Sequence, residues 1–383
     1  MKLTAKIKLL PNPEQHQALM ATLVRANEAC NFVSEGAWET KRFKQFGLHK
    51  LVYYSTKERF ELSAQMVVRC IAKVVDAYKL DKNRGDARVQ RVFRPTGAIA
   101  YDSRILSFKP AKKTVSIWTL GGRETIPYVG GQHHEYLLQY QKGEADLFYR
   151  KGNFYLLATC DIPDEETSEI NGMLGVDLGI VDIAVDSDGE RFTGADIRKY
   201  RKKRAKIRAS VQAKKKAGRT GAPASQSTIK NTHRLLRRIS KKEQTSSRLI
   251  NHTISKRLVA KAKATGRGIS LEDLTGIRQR TVPRLRKAQR SEHSSWAFHE
   301  LRNFIAYKCT RSGVVLITIP PAYTSKTCST CMHIGNRSGK KFTCTNCGTT
   351  MDSDHNGARN IAIVGAEFVT RPENSVLVCH LVN

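Results

Sequence analysis

The 383-residue chain has no run of about 18 apolar residues, so no segment is expected to cross a membrane as a helix. Its first residues, MKLTAKIKLLP, lack the long apolar stretch of a secretory signal, and a cytoplasmic location is expected. Acids are scarce: 34 Asp and Glu stand against 66 Lys and Arg, a net charge of +32. That excess opposes compaction unless a polyanion neutralises it. The nine cysteines are an odd number, and Cys30, Cys70, Cys160, Cys309 and Cys379 are scattered, which argues against a disulfide framework. Cys30 and Cys70 fall on apolar helical faces, where a reduced cysteine acts as a small hydrophobe.

Hydrophobic residues make up 40% of the chain, enough to bury a core, and its length suggests two or three domains. The positive charge is uneven. Between Arg198 and Lys263 lie 23 Lys or Arg and one acid, Glu243, a local excess of +22. Such a stretch is a footprint for nucleic-acid phosphates. A solvated helical surface or a disordered tail is the plainer reading. No strong apolar face accompanies the run, which disfavours a membrane-surface role.

Residues 3–9 alternate loosely and read as a strand. Asn12 and Pro13 suit an N-cap and first helical position, with Gln15 completing a capping box. Leu19, Leu23, Ala26, Cys30 and Val33 form a helical stripe, and Met66, Cys70 and Val74 mark a second helix over about 62–78. Residues 80–100 read as a loop. From Arg104 to Cys160 the pattern turns to short β runs (ILSF, TVSIWTL, LFYRKGNFYLLATC), with a hairpin signal at Lys151-Gly152-Asn153. Residues 1–10 and 95–165 are expected to form a small antiparallel barrel, with a helical domain over 11–94 inserted in it. Residues 163–169 read as an acidic linker.

A second domain is expected from about Gly172. MLGVDLGI and VDIAVD are strands, Ser187-Asp188-Gly189 is a turn, and ERFTG returns as a meander. The basic segment 198–263 reads as mostly helical with a break near Gly218 to Pro223. GISLEDL and VVLITIP are further strands, 292–310 is a helix with Phe298, Leu301, Ile305 and Cys309 on one side, and SDHNGARNIAIVG is another. The tail from about Glu367 shows no pattern.

Cys328-Ser-Thr-Cys331 and Cys344-Thr-Asn-Cys347 are two C-x-x-C knuckles twelve residues apart. Four thiolates on two tight turns match a closed, structural Zn²⁺ site. A redox C-x-x-C pair would not need two knuckles. Gly335, Gly339 and Lys340-Lys341 suit a ribbon hairpin that also touches phosphate.

Asp177 sits mid-strand in GVDLG, where a charge is costly without a metal or cation. Glu272 ends the apolar run of ISLEDL, and Asp354 opens a helix after the second knuckle. Three carboxylates on separate elements are suited to a shared pair of Mg²⁺ ions, which prefer oxygen ligands. The residues leave choices open: Asp177 suits a simple ion pair, adjacent Glu272 and Asp273 point to opposite faces, and Asp352 competes with Asp354.

Taken in order, LLPNPEQ, GVDLGI, LEDL, FHELRNFIAYK, YTSKTCSTC, CTNC and DSDHNGARNI resemble the TnpB family, transposon-encoded proteins related to compact type V CRISPR effectors. The resemblance covers nearly the whole chain and is most specific over 172–362. It implies a RuvC-type, RNase H-like α/β nuclease domain over 172–325 and 350–366 and a zinc ribbon over 326–349. It also implies a β-barrel wedge domain with an inserted helical recognition domain before them, and a flexible tail over 367–383. The catalytic acids would be Asp177, Glu272 and Asp354, all present, holding Mg²⁺. Asn356 and Asn360 match supporting asparagines, and Cys328, Cys331, Cys344 and Cys347 match the zinc ligands. The partners implied are a guide RNA from the transposon end and double-stranded DNA beside a short transposon-adjacent motif, both strands being cut by one site, with no membrane and no small-molecule substrate. The location implied is prokaryotic and nucleoid-associated. Met332 stands where the family usually has Gly, and Gly357 where Ala is common.

On this reading guide pairing supplies specificity while the protein reads duplex geometry and a short motif near the barrel and helices. The basic helices hold guide or heteroduplex backbone. Trp118 and Tyr323 suit base stacking or core packing equally. The competing readings are a nuclease-silent RNA-guided repressor, an unguided zinc-ribbon DNA-binding transposition accessory protein and, more remotely, an actin-like phosphate-binding ATPase.

Overall fold

A computed structural model describes residues 1–82, 89–167, 169–216, 225–276, 290 and 298–370. The expected helix break at 218–223 and Cys379 lie outside the described residues. The chain divides into two compact units, 1–163 and 164–383.

The first unit opens with β1 (Lys2–Leu9), which alternates lysines outward with Ala5, Ile7 and Leu9 buried. Helix α1 (Pro13–Thr40) begins with the capping box: Asn12 Oδ1 accepts from Gln15 N at 2.7 Å, and Gln15 Oε1 accepts from Asn12 N at 3.2 Å. Helices α2 (Gln45–Phe60) and α3 (Ala64–Lys82) follow. Helix α2 has no counterpart in the sequence reading. It buries only Leu48, Val52, Thr56 and Phe60, one residue per turn, a stripe too thin for periodicity to reveal.

Strands β2 (Ile99–Tyr101), β3 (Leu106–Lys109), β4 (Thr114–Thr119) and β5 (Gly122–Val129), the short helix α4 (Gln132–Leu138), and strands β6 (Gln141–Arg150) and β7 (Asn153–Asp161) complete the unit. The seven strands run in the order β2-β6-β7-β1-β5-β4-β3, all pairs antiparallel. The two edge strands, β2 and β3, are joined by residues 102–105 alone, so the sheet curls until its edges nearly meet. Lys151 and Gly152 form the β6–β7 turn with φ of 51° and 81°, the left-handed pair that a two-residue hairpin requires. Helices and sheet share one core, in which Tyr101 and Phe154 are the largest fully buried side chains. Trp118 packs half-buried against it, whereas Tyr323, in the other unit, is 53% exposed.

The second unit contains β8 (Met173–Asp177), β9 (Asp182–Asp186), β10 (Arg191–Thr193), α5 (Ala195–Lys216), α6 (Gln226–Ala264), β11 (Gly268–Glu272), α7 (Phe298–Ser312), β12 (Leu316–Ile319), β13 (Asn336–Ser338), β14 (Lys341–Thr343), β15 (Thr350–Asp352) and α8 (Ser353–Thr370). Five strands form a mixed sheet in the order β10-β9-β8-β11-β12. The first three make an antiparallel meander, and β11 pairs parallel with both β8 and β12. Alternation along β8 and β11 decides which helix covers which face. Leu174, Val176, Ile269 and Leu271 pack with Leu258 of α6 and Leu301, Ile305 and Cys309 of α7. Gly175 and Ser270 face α8, where Ser270 Oγ donates to Ile361 O at 2.9 Å. Helix α8 continues through 367–370, where the sequence showed no pattern; residues 371–383, expected as a flexible tail, lie outside the described residues.

At Gly175 an added Cβ would stand 2.0 Å from Ala358 O and 2.4 Å from Ala362 N, both backbone atoms of α8. Gly175→Ala is therefore expected to destabilise the second unit by about 3 kcal/mol, the upper range for overpacking, read as a lower midpoint in urea. An unchanged midpoint would contradict this packing.

Candidate functional site

Asp177 and Glu272 end the adjacent parallel strands β8 and β11, one step beyond the Val176–Leu271 pair. Their parity is that of Gly175 and Ser270, so both carboxylates lie on the α8 side. Asp177 Oδ2 comes within 3.3 Å of where a Cβ on Gly357 would be, so the missing methyl leaves room for that carboxylate. Asp354 occupies the first turn of α8, three residues earlier. Burial, then the charges of Glu272 and Asp354, push the Asp177 carboxyl up to about 8. Burial also raises Glu272, opposed by a hydrogen bond from the Thr324 hydroxyl and by the Arg337 guanidinium.

The two ambiguities of the acidic cluster acquire different local roles. Asp273 lies outside this group: Thr275 donates to it through hydroxyl and N–H, Arg302 pairs with it at 3.0 Å, and its carboxyl is held below the usual range. Asp352 caps α8, accepting from the backbone N–H of Asp354 at 2.9 Å and of His355 at 3.2 Å, and pairs with Arg191 at 2.9 Å. Burial pushes Asp352 up, but Arg191 and those two N–H groups outweigh it and hold it low.

Sequence reasoning missed Arg337 and Thr324, and it placed Lys340 on a phosphate-touching hairpin without its acid partners. Arg337 Nη2 donates to Asp354 Oδ1 at 3.2 Å, and its charge also acts on Asp177 and Glu272, so one cation serves all three acids. Lys340 pairs with buried Asp182 and reaches Asp354 Oδ2 at 3.6 Å. Nothing in the sequence distinguishes Arg337 among 66 cations. Only the hairpin between the knuckles, folded onto β9 and α8, selects it and gives Lys340 its acids.

The knuckle cysteines converge closely. Cys328 Sγ lies 3.7 Å from Cys347 Sγ, Cys331 Sγ lies 3.5 Å from Cys344 Sγ, and all four sulfurs are within 4.8 Å of one another. Zn–S bonds of about 2.3 Å in a tetrahedron set sulfurs about 3.8 Å apart, so the set could hold an ion of that size. Among the described residues no other group of His, Cys, Asp or Glu is as compact. Asn356 and Asn360 join knuckle to helix: Asn356 Oδ1 accepts from Ser329 N at 2.9 Å, and both Nδ2 groups donate to Thr327 O at 2.7 Å.

Met332 adopts φ 61° and is 51% exposed. The left-handed turn after the second cysteine favours glycine, which explains the family's usual residue there. Met332→Gly is expected to relieve about 1 kcal/mol of strain, measured as a higher unfolding midpoint in urea. A lower midpoint would contradict it.

Residues 298–361 match the model of the Cas12f1-like TNB domain. The chain is 32% identical over 239 residues to the CRISPR-associated endodeoxyribonuclease Cas12f1 of Sulfoacidibacillus thermotolerans, covering 59% of this chain and 54% of that protein. It is 29% identical over 200 residues to the putative RNA-guided DNA endonuclease InsQ of Escherichia coli (strain K12), covering 50% and 49%. It is 35% identical over 104 residues to the TnpB-like protein MJ0751 of Methanocaldococcus jannaschii, covering 27% and 37%. The chain thus spans about half or less of the curated relatives it matches. A solved Cas12f1–sgRNA–target DNA complex superposes with a TM-score of 0.55 at 14% identity, over 90% of this chain and 83% of that one, which shows a shared fold. The sequence motifs, the matched TNB region and the shared fold agree in making the chain similar to the TnpB-like and Cas12f proteins.

Proposed function

We propose that the chain is an RNA-guided DNA endonuclease with a RuvC-type nuclease domain and a zinc ribbon, cutting both strands of DNA with one magnesium-dependent site. The observation that carries the reading is the meeting of Asp177, Glu272 and Asp354, from two strands and a helix, around the single guanidinium of Arg337. Crowded, buried carboxylates are poor as structural groups and good as divalent-cation ligands. The three-strand meander continued by two parallel strands, with helices on both faces, supports the RNase H-like assignment. The names of the relatives support RNA guidance and DNA cleavage. The net charge of +32 supports a nucleic-acid partner.

Asp177, Glu272 and Asp354 would hold the Mg²⁺ ions. When bound, these would activate a water and neutralise the leaving 3′ oxygen. The Thr324 hydroxyl orients Glu272 by donating to it. Arg337, already among the acids, is placed to exchange Asp354 for a non-bridging phosphate oxygen and hold the strand in register. Lys340 and Asp182 anchor the hairpin that carries Arg337. Cys328, Cys331, Cys344 and Cys347 would hold structural Zn²⁺. The guide is proposed to derive from the transposon end, and the target to lie beside a short adjacent motif. The barrel with its helices is the wedge and recognition region.

The test is cleavage of a plasmid carrying a guide-matched target by the full chain with its co-purified RNA. Linear product is expected with Mg²⁺ and none with EDTA. Guide-dependent binding without cutting would favour the nuclease-silent repressor. Absence of co-purified RNA would favour the unguided accessory protein.

A further inference from the structure

We propose that the seam between α6 and α7 is a stacking platform for unpaired nucleotides of RNA. It lies on the opposite side of the five-stranded sheet from the acids. The proposal rests on the RNA-guided reading and assigns that RNA a contact site.

The His252 and Phe304 rings stack at 3.8 Å between centroids and 18° between planes. The Tyr307 ring stands edge-on to Phe304 at 6.0 Å and 87°. The Arg248 guanidinium lies 5.8 Å from the Phe304 centroid, and Lys308 Nζ lies 5.7 Å from Phe304 and 5.6 Å from Tyr307. Helical spacing gathers these groups. Arg248, His252 and Lys256 recur every four residues along α6, and Phe304, Tyr307, Lys308 and Arg311 share one side of α7. The three rings are only half-buried, and Leu249, one turn before His252, is 67% exposed.

Arg257, Lys261 and Lys263 of α6 pair with Glu190, Asp186 and Glu165, and Arg302 of α7 pairs with Asp273, whereas Arg248 and Lys256 are exposed beside the rings. Nearby Glu300 receives a hydrogen bond from Asn251 at 2.9 Å. Lys308 is tied into the seam, donating to His252 O at 2.8 Å and to the Ser255 hydroxyl. Burial, then the like charges of Lys256 and Arg311, pull its ammonium down to about 8. Gathering like charges opposes folding of the free chain, and a polyanion reverses that sign. Half-buried rings rimmed by cations are the chemistry that binds bases and phosphates together.

RNA fits better than DNA. Duplex DNA offers no open base face, and the displaced DNA strand must run to the acids on the α8 side. A folded guide carries loops and bulges whose bases can splay onto rings, and it is present before DNA arrives.

The test uses the full chain and the RNA that co-purifies with it, sequenced, resynthesised and labelled, with oligo(dT) and a random duplex as second and third probes. Phe304→Leu with Tyr307→Leu removes flat ring faces but keeps apolar bulk. It should weaken RNA binding about 10-fold or more with the salt dependence unchanged, and weaken oligo(dT) less. Arg248→Gln with Lys256→Gln, both exposed, should flatten the slope of log K against log salt by roughly 0.7 per charge. Wild-type affinity and slope in both pairs would overturn the platform alone. Equal losses for RNA and oligo(dT) would overturn its assignment to RNA. If the ring variants melt early, an unchanged salt slope in the exposed pair overturns the proposal. A wild-type chain that binds no RNA would overturn the guided reading and the platform together.

Discussion

Asp177→Asn should cut no detectable DNA and yet unfold at a higher temperature than the wild type. The substitution keeps the shape of the side chain and removes a charge that is buried beside Glu272 and Asp354. Cleavage should fall at least about 10³-fold, as when one member of a catalytic unit is removed. The stability gain has a definite pH window. An unfolded carboxylate titrates near 3.9, roughly, while the folded group titrates at about 8. Between these values the folded chain keeps a proton that the unfolded chain has released. Wild-type stability therefore falls as pH rises through the window, by up to about 1.4 kcal/mol per pH unit, and levels off above it. The Asn variant lacks this decline. Thermal unfolding in EDTA across the window, beside plasmid cleavage in Mg²⁺, measures both. Mg²⁺ should stabilise the wild type, because it binds only the folded chain, and should stabilise the variant less. Wild-type cutting by the variant would end the nuclease assignment, whereas a lower melting temperature with an undiminished pH decline would contradict the burial of an unpaired charge.

Cys344→Ser should unfold the ribbon and take cleavage with it. The buried core of that segment consists of Cys328, Phe342 and Cys344, too little to order the three short strands β13, β14 and β15 without an ion. Structural zinc contributes about 10 kcal/mol in such modules, so its loss is loss of the fold. The damage reaches the acids because the hairpin carries Arg337 and Lys340 to Asp354, and because Ser329 and Thr327 tie the first knuckle to Asn356. The expected readings are zinc falling from one per chain to none by elemental analysis, protease sensitivity rising across 326–349, and RNA binding retained. Full cleavage by a zinc-free variant would show that the ribbon and the acids are uncoupled.

Both outcomes depend on pieces that differ in how openly they are written in the chain. The knuckles, the capping box at Asn12 and the apolar strands of GVDLG and ISLEDL are local patterns. Each is set by spacing along a few residues, and each appears in the structure where the spacing puts it. Helix α2 was invisible because its buried stripe is a single residue per turn and the helix takes its stability from α1 and α3. The rivalry between Glu272 and Asp273 had no answer in composition. In the structure β11 parity sends Glu272 toward α8, and Asp273 pairs with Arg302. Asp352 is likewise separated from Asp354 by the capping geometry of α8.

The linear order of residues was enough to establish strands, helices, the four-cysteine set, the cationic segment and the resemblance to TnpB-like proteins, because each of these is short-range or additive. Tertiary packing alone chose Arg337 from the other cations, gave Lys340 and Thr324 their acids, covered the two faces of the mixed sheet with different helices, and brought His252 onto Phe304. Those are encounters between residues tens of positions apart, and their energies exist only once burial has raised the cost of an unpaired charge and brought the partners within a few ångströms.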